Sequence, residues 1–158
     1  MYRIIIILVL ACAMTVTGAH AAGKGGNPVP LNAKCPVCGM FVAKYPDWTA
    51  TASFKDGTTH YFDGPKDLLT YYLDPTRYAR GRRQADIASM TVKEYYSLGM
   101  IDPRGAFFVL GSDVYGPMGS ELIPFKTQKD AMAFKIDHKG KRIIRFNEIT
   151  SQLIKTLN

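Results

Sequence analysis

Two cysteines and a methionine lie close together near the start of the chain, in the stretch AKCPVCGM at residues 33–40. Two residues separate Cys35 from Cys38, and Met40 follows Cys38 by two positions. Thiolate and thioether sulfurs are the soft ligands that suit Cu(I). A Cys-x-x-Cys pair is also typical of redox-active disulfides and of zinc sites. The motif therefore allows three kinds of chemistry: thiol–disulfide exchange, zinc binding and Cu(I) binding.

The surrounding residues weigh against the first two. A thioredoxin-type pair gains its reactivity from the N-terminus of a helix, whereas the stretch GMFVAKYP that follows Cys38 shows no helical pattern. A structural zinc site needs four ligands. The chain has no second Cys-x-x-Cys, and its histidines are isolated from one another (His20, His60 and His138). A thiol–disulfide oxidoreductase using Cys35 and Cys38, or a zinc-binding accessory subunit, remains open as an alternative.

The first residues have the features of an export signal. Arg3 precedes an apolar run from Ile4 to Val16, and the small residues Ala19-His20-Ala21 follow. The run is shorter than the roughly 20 residues that a membrane-spanning helix needs. We therefore expect cleavage after Ala21 and a periplasmic location. A stretch that ends at Cys12 weakly resembles a lipoprotein signal, so a lipid anchor through Cys12 is the alternative.

An exported location narrows which partners this basic chain can bind and what its two remaining cysteines can do. The net charge is +7, but nucleic acid is a poor partner for an exported protein. The clustered arginines better suit an acidic protein or an anionic membrane surface; they are Arg77, Arg80, Arg82 and Arg83. One close cysteine pair cannot supply the disulfide framework of a small secreted scaffold. Cys35 and Cys38 must therefore serve a local function.

The pattern along the chain predicts small alternating elements. Residues 22–32 are rich in Gly and Pro and indicate a flexible leader. Two β-rich runs at 48–54 and 58–62 flank an Asp-Gly turn, which predicts a hairpin. Residues 63–73 then predict a helix with Asp63 as its N-cap, and residues 86–96 predict another strand.

The second half of the chain repeats this order. A phenylalanine, a Lys-Asp pair, two apolar residues and an aromatic residue recur around the two predicted helices at a constant separation of 63 residues. The pairs are Phe62 and Phe125, Lys66 and Lys129, Asp67 and Asp130, Leu68 and Ala131, Leu69 and Met132, and Tyr71 and Phe134. We predict an α+β fold of two related ββαβ units, each with an antiparallel sheet packed on one helix, at residues 33–97 and 98–158.

A third sulfur lies in the second unit, within the loop Gly116-Pro117-Met118-Gly119. A methionine between Pro and Gly lies outside any periodic apolar pattern that would assign it to a core. Cys38, Met40 and Met118 together would form a low-coordinate Cu(I) site shared by the two units. Such a site exchanges its metal readily, which suits a carrier and not an enzyme. His60, on the second strand of the hairpin, is a further candidate ligand.

These motifs resemble those of the NosL family, the copper-chaperone accessory proteins of nitrous-oxide reductase. The matching features are Cys-x-x-Cys-Gly-Met, a hairpin, Phe-Asp-x-x-Lys-Asp-Leu and the later Gly-x-Met-Gly-x-Glu, spread from about Asn32 to Ile149. The resemblance implies Cu(I) delivery to the periplasmic reductase, with an ABC-type membrane complex as a further partner. It places Cys38, Met40 and Met118 on the copper-associated positions.

The same resemblance leaves two points about this chain open. Many members of the family are lipoproteins with a clear anchoring signal, whereas here cleavage after Ala21 is the first expectation. The upstream cysteine is not uniform in the family. Cys35 is accordingly a fourth sulfur ligand, a redox partner of Cys38, or dispensable. A second metal such as zinc is also possible.

Overall fold

The computed structural model describes residues 28–157. The predicted export signal, Cys12 and the cleavage site after Ala21 lie outside the described residues, as do residues 22–27 of the predicted leader. Within residues 28–157, no helix is both long and apolar enough to cross a bilayer.

The first unit is a four-stranded antiparallel sheet with two helices. Its elements are β1 (Ala50–Phe54), β2 (Thr59–Phe62), α1 (Pro65–Leu73), α2 (Pro75–Tyr78), β3 (Ile87–Lys93) and β4 (Met100–Ile101). The strand order is β2-β1-β3-β4. The predicted hairpin joins β1 to β2, with Gly57 at a φ of 84° that favours glycine. Because β4 pairs with β3, the first sheet extends past residue 97, where we placed the end of this unit.

The second unit repeats the arrangement. Its elements are β5 (Phe107–Leu110), β6 (Tyr115–Gly116), β7 (Gly119–Ser120), β8 (Ile123–Phe125), α3 (Gln128–Asp137), β9 (Arg142–Arg145) and α4 (Ser151–Lys155). The strand order β8-β5-β9 matches β2-β1-β3, with the first strand central and every pairing antiparallel. The small β6–β7 hairpin is inserted between β5 and β8. The predicted α+β fold of two ββαβ units is confirmed.

The duplication is also visible at the start of each helix. The N-cap of α1 is Gly64 and that of α3 is Thr127, which keeps the 63-residue separation. The strands before them end at Phe62 and Phe125, both fully buried. The prediction that Asp63 caps α1 is wrong. The N-cap is Gly64, which has no side chain to accept a capping hydrogen bond. The Asp63 carboxylate instead faces a cysteine.

Helix α1 lies between two apolar clusters. On one side, Leu68 and Tyr71 pack in the core of the first sheet together with Cys35. On the other side, Leu69 packs against Phe108 and other residues of the second unit. Burial of these side chains stabilises the fold by roughly 1.5–3 kcal/mol each. The start of α1 is therefore held firmly by both units, and this is where the chemistry gathers.

Candidate metal centre

The sulfur motif forms a tight turn closed by backbone hydrogen bonds. The Cys35 N–H donates to the Met40 carbonyl and the Gly39 N–H donates to the Cys35 carbonyl, both at 2.9 Å. Gly39 has a φ of 80°, a conformation that side chains other than glycine's adopt at a cost. Only a short 3₁₀ turn at Val42–Lys44 follows. No α-helix begins at the cysteines, as the sequence indicated.

Both thiols are held in their protonated form when no metal is bound. Burial is the largest cause, and it raises the pKa of Cys38 to about 12 and that of Cys35 still further. Backbone N–H groups of Val37, Cys38 and Met40 point toward the sulfurs and oppose this shift. A thiol-exchange catalyst needs a depressed thiol pKa, so this environment argues against that alternative. The same N–H groups would stabilise thiolates once a metal displaces the protons.

Two buried carboxylates complete the cluster. The Cys35 thiol donates to Asp67 Oδ2 at 3.2 Å, and the Cys38 thiol lies 3.4 Å from each oxygen of Asp63. One ligand atom from each of the four residues lies within 4.8 Å of the others. Burial raises the pKa of Asp67, and the hydrogen bond from the Cys35 thiol opposes that shift. Two sulfurs and two oxygens at this spacing are a plausible donor set for a metal ion.

The sequence analysis missed Asp63 and Asp67. Asp63 immediately precedes the N-cap Gly64, and Asp67 lies in the first turn of α1. Both belong to the Phe-Asp-x-x-Lys-Asp-Leu stretch, but carboxylates are common at a helix start because they complement the helix dipole, so the sequence did not mark them as ligands. Only the packing of α1 against the sulfur turn shows that both carboxylates face the cysteines.

Met40 and Met118 lie on two separate segments of the chain, the sulfur turn and the β6–β7 hairpin. Met40 is half-buried in the sulfur turn, two residues after Cys38. Met118 is 44% exposed at the tip of the β6–β7 hairpin. Its carbonyl accepts a hydrogen bond of 3.0 Å from Lys66 Nζ, and Lys66 immediately precedes Asp67 on α1. The structure therefore docks the loop of Met118 on the helix turn that carries the carboxylates.

His60 lies away from this four-residue cluster. Its ring packs edge-on against Phe54 and Tyr71, with centroid separations of 4.9 and 5.5 Å. Burial, assisted by the charge of Arg82, lowers the pKa of His60. Its Nδ1 is buried and has no hydrogen-bond partner among residues 28–157. This position belongs to the aromatic part of the first core.

Gly64 allows the Met118 loop to dock closely. A Cβ at this position would clash with Glu121 Oε2. We expect Gly64→Ala to lower the free energy of unfolding by about 1–3 kcal/mol, measured by chemical denaturation. Gly105→Ala is the matched control, because its Cβ would meet nothing within 4 Å. Equal stability of the two variants would contradict the close packing at Gly64.

Comparison with known proteins agrees with the fold and identifies the family. The family model described as NosL matches residues 28–154. A curated relative, the copper-binding lipoprotein NosL of Stutzerimonas stutzeri, is 31% identical over 124 residues, which cover 77% of this chain. The match covers 64% of that relative, so the chain spans less than two thirds of its length.

A solved structure shares the architecture. The crystal structure of the copper chaperone NosL from Shewanella denitrificans superposes with a TM-score of 0.67 at 27% identity, over 82% of this chain and 98% of that one. The family match covers both sulfur motifs and both ββαβ units. The chain belongs to the NosL family.

Proposed function

We propose that the protein is a Cu(I)-binding metallochaperone that carries copper as cargo to a client copper protein, and that it is not an enzyme. The observation that carries this proposal is the convergence of the Cys35 and Cys38 thiols with two buried carboxylates at one site. Cu(I) prefers such sulfur ligands. The names of the two relatives, a copper-binding lipoprotein and a copper chaperone, support the same choice.

The exposure of the sulfurs suits transfer more than storage. Cys35 is buried, Cys38 and Met40 are half-buried, and Met118 is exposed. A receiving ligand can therefore reach the metal from the side of Met118 and Cys38, while Cys35 holds it from within. We assign Cys38, Met40 and Met118 as the principal ligands and Cys35 as an auxiliary one.

Competition titration with a Cu(I)-specific chelator tests the ligand assignment on the reduced protein. We expect Cys38→Ser to weaken Cu(I) binding at least about 100-fold and Met118→Ala about 10-fold, since losing a soft ligand costs at least as much as losing a supporting group. Met132→Ala is the matched control: Met132 is 43% exposed, close to the 44% of Met118. Unchanged affinity in both Cys38→Ser and Met118→Ala would reject the proposal.

The client and the compartment are further parts of the proposal. The family resemblance favours nitrous-oxide reductase as client, with an ABC-type membrane complex as a second partner. Transfer of copper from the loaded protein to the copper-free reductase, followed by the colour of the reductase, tests this. Failure of transfer to the reductase, with Cu(I) binding intact, would assign the protein to another client.

The mature N-terminus distinguishes the two forms of export. Mass spectrometry should find either a chain that begins at Ala22 or a lipid-modified Cys12. The name of the Stutzerimonas relative supports the lipoprotein form, whereas the sequence pattern favours cleavage after Ala21.

Zinc is a second candidate cargo or companion metal, because Asp63 and Asp67 add oxygen donors to the two cysteines. Zn²⁺ accepts a tetrahedral set of Cys and Asp ligands, whereas Cu(I) does not require carboxylates. Elemental analysis of protein purified without chelators separates the alternatives. Zinc that is retained in Met118→Ala but lost in Asp67→Asn would favour a zinc site formed by the cysteines and aspartates.

A further inference from the structure

Two side chains fasten the loop that carries Met118 to the first turn of α1. Both anchoring side chains, Lys66 and Glu121, are almost fully buried, with 2% and 4% of their surface exposed. By contrast, Tyr115 and Met118 in the same loop are 67% and 44% exposed. A hairpin of two-residue strands has little stability of its own, so its position depends on these anchors.

Glu121 joins the loop to the first turn of α1. Its Oε1 accepts hydrogen bonds from the Lys66 N–H at 2.6 Å and from the Leu122 N–H at 2.8 Å. The Lys66 N–H is one of the helix-start groups that lack an intrahelical partner, and Gly64 provides no side-chain cap. Glu121 therefore supplies from the second unit the cap that α1 lacks.

Lys66 makes the complementary connection. Its Nζ donates to the Met118 carbonyl at 3.0 Å, so the same residue of α1 is tied to both ends of the 118–121 segment. Lys66 lies between Asp63 and Asp67, the two carboxylates that face the thiols. The attachment point of the loop is thus the helical turn that presents the carboxylates.

We propose that Lys66 and Glu121 are positioning residues that hold the loop of Met118 against the turn of α1 that carries Asp67. Neither residue is a metal ligand in this assignment; they limit where the Met118 thioether can lie. Loss of these bonds would free the loop and leave the bonds between the carboxylates and the cysteines in place. This inference rests on the proposed Cu(I) function and adds the device that controls one ligand of that site.

A double-mutant cycle tests the inference, with Cu(I) and a chelator as the probe. Lys66→Leu removes the bond to the Met118 carbonyl while keeping an apolar side chain without sulfur in the buried position. We expect Lys66→Leu to weaken Cu(I) binding about 10-fold, and Lys66→Leu/Met118→Ala to bind no more weakly than Met118→Ala alone. Additive losses in the double variant would overturn the proposal, because a general effect on the fold does not require Met118.

Glu121 gives an independent arm of the test. Glu121→Gln retains the acceptor oxygen and should bind Cu(I) like wild type, whereas Glu121→Ala should lose affinity as Lys66→Leu does. Hydrogen exchange of the metal-free protein provides a second readout: faster exchange at residues 115–120 in Lys66→Leu and Glu121→Ala, with the sheet amides unchanged. Unchanged exchange in both variants would overturn the positioning role even if the wild type binds Cu(I).

The two readouts separate this inference from the proposed function. If the wild type fails to bind Cu(I), the proposed function is rejected, and hydrogen exchange still decides whether the two residues hold the loop. If Cys38→Ser abolishes binding while Lys66→Leu and Glu121→Ala bind like wild type, copper binding stands and the positioning role is rejected.

Discussion

Oxidation of Cys35 and Cys38 to a disulfide is expected to abolish Cu(I) binding, and reduction to restore it. Their Sγ atoms belong to one cluster within 4.8 Å, close enough for a bond after a small adjustment. Reaction with a small-molecule disulfide forms the Cys35–Cys38 bond, transfers two electrons to the oxidant and yields two small-molecule thiols. Both thiolate ligands are then lost. A chelator competition before oxidation, after oxidation and after re-reduction measures the effect.

Cys35→Ser is the matched control for this prediction. It cannot form the internal disulfide, and it keeps Cys38, Met40 and Met118 as ligands. Under a brief treatment with a bulky oxidant, its Cu(I) affinity should change far less than that of the wild type, provided mass spectrometry shows no mixed disulfide on Cys38. Undiminished Cu(I) affinity in fully oxidised wild-type protein would show that the cysteines are not ligands.

The stability of the metal-free protein is expected to fall as the pH rises from 5 to 8, through Glu121. Burial raises the pKa of this carboxyl from 4.5 to about 8 in the folded protein. Between these values the folded state keeps a proton that the unfolded state has released, so unfolding is favoured as protons become scarce. The contribution of Glu121 over this range is at most about 4 kcal/mol. Urea unfolding at several pH values measures it.

Glu121→Gln isolates the contribution of this group, because the amide does not titrate and fills the same space. The comparison is needed because His60 acts in the opposite direction: its lowered pKa makes stability rise with pH as the histidine loses its proton. The difference between wild type and Glu121→Gln should therefore shrink or change sign between pH 5 and pH 8. A difference that is constant with pH would contradict a proton on Glu121.

Local chemistry in the sequence was enough to predict the absence of a helix after Cys38, the hairpin and the duplication. The spacing of Cys35, Cys38 and Met40 and the isolation of Met118 in a Gly-Pro loop indicate soft-metal chemistry wherever the residues lie. The Asp-Gly turn is a property of neighbouring residues. The 63-residue repeat is found by comparing the first half of the chain with the second. The structure contains the hairpin and the repeat because local backbone preference and apolar periodicity determine them.

Side-chain function depended on contacts that no local pattern contains. Asp63 has the features of a helix cap in sequence, yet its carboxylate faces Cys38, 25 residues earlier. His60 lies on the predicted strand, but its neighbours are the rings of Phe54 and Tyr71 instead of the cysteines. In each case the direction of the side chain is decided by which surface the element packs against.

The sequence by itself determined that this protein has two sulfur motifs, one in each of two related ββαβ units. Only the tertiary structure decided that the start of α1 joins them, with Asp67 bonded to Cys35 and with Lys66 and Glu121 linking α1 to the loop of Met118. The reason is physical. Motif identity is a property of neighbouring residues, whereas these bonds span 32 to 55 residues and exist because apolar burial on both sides of α1 brings the two units together.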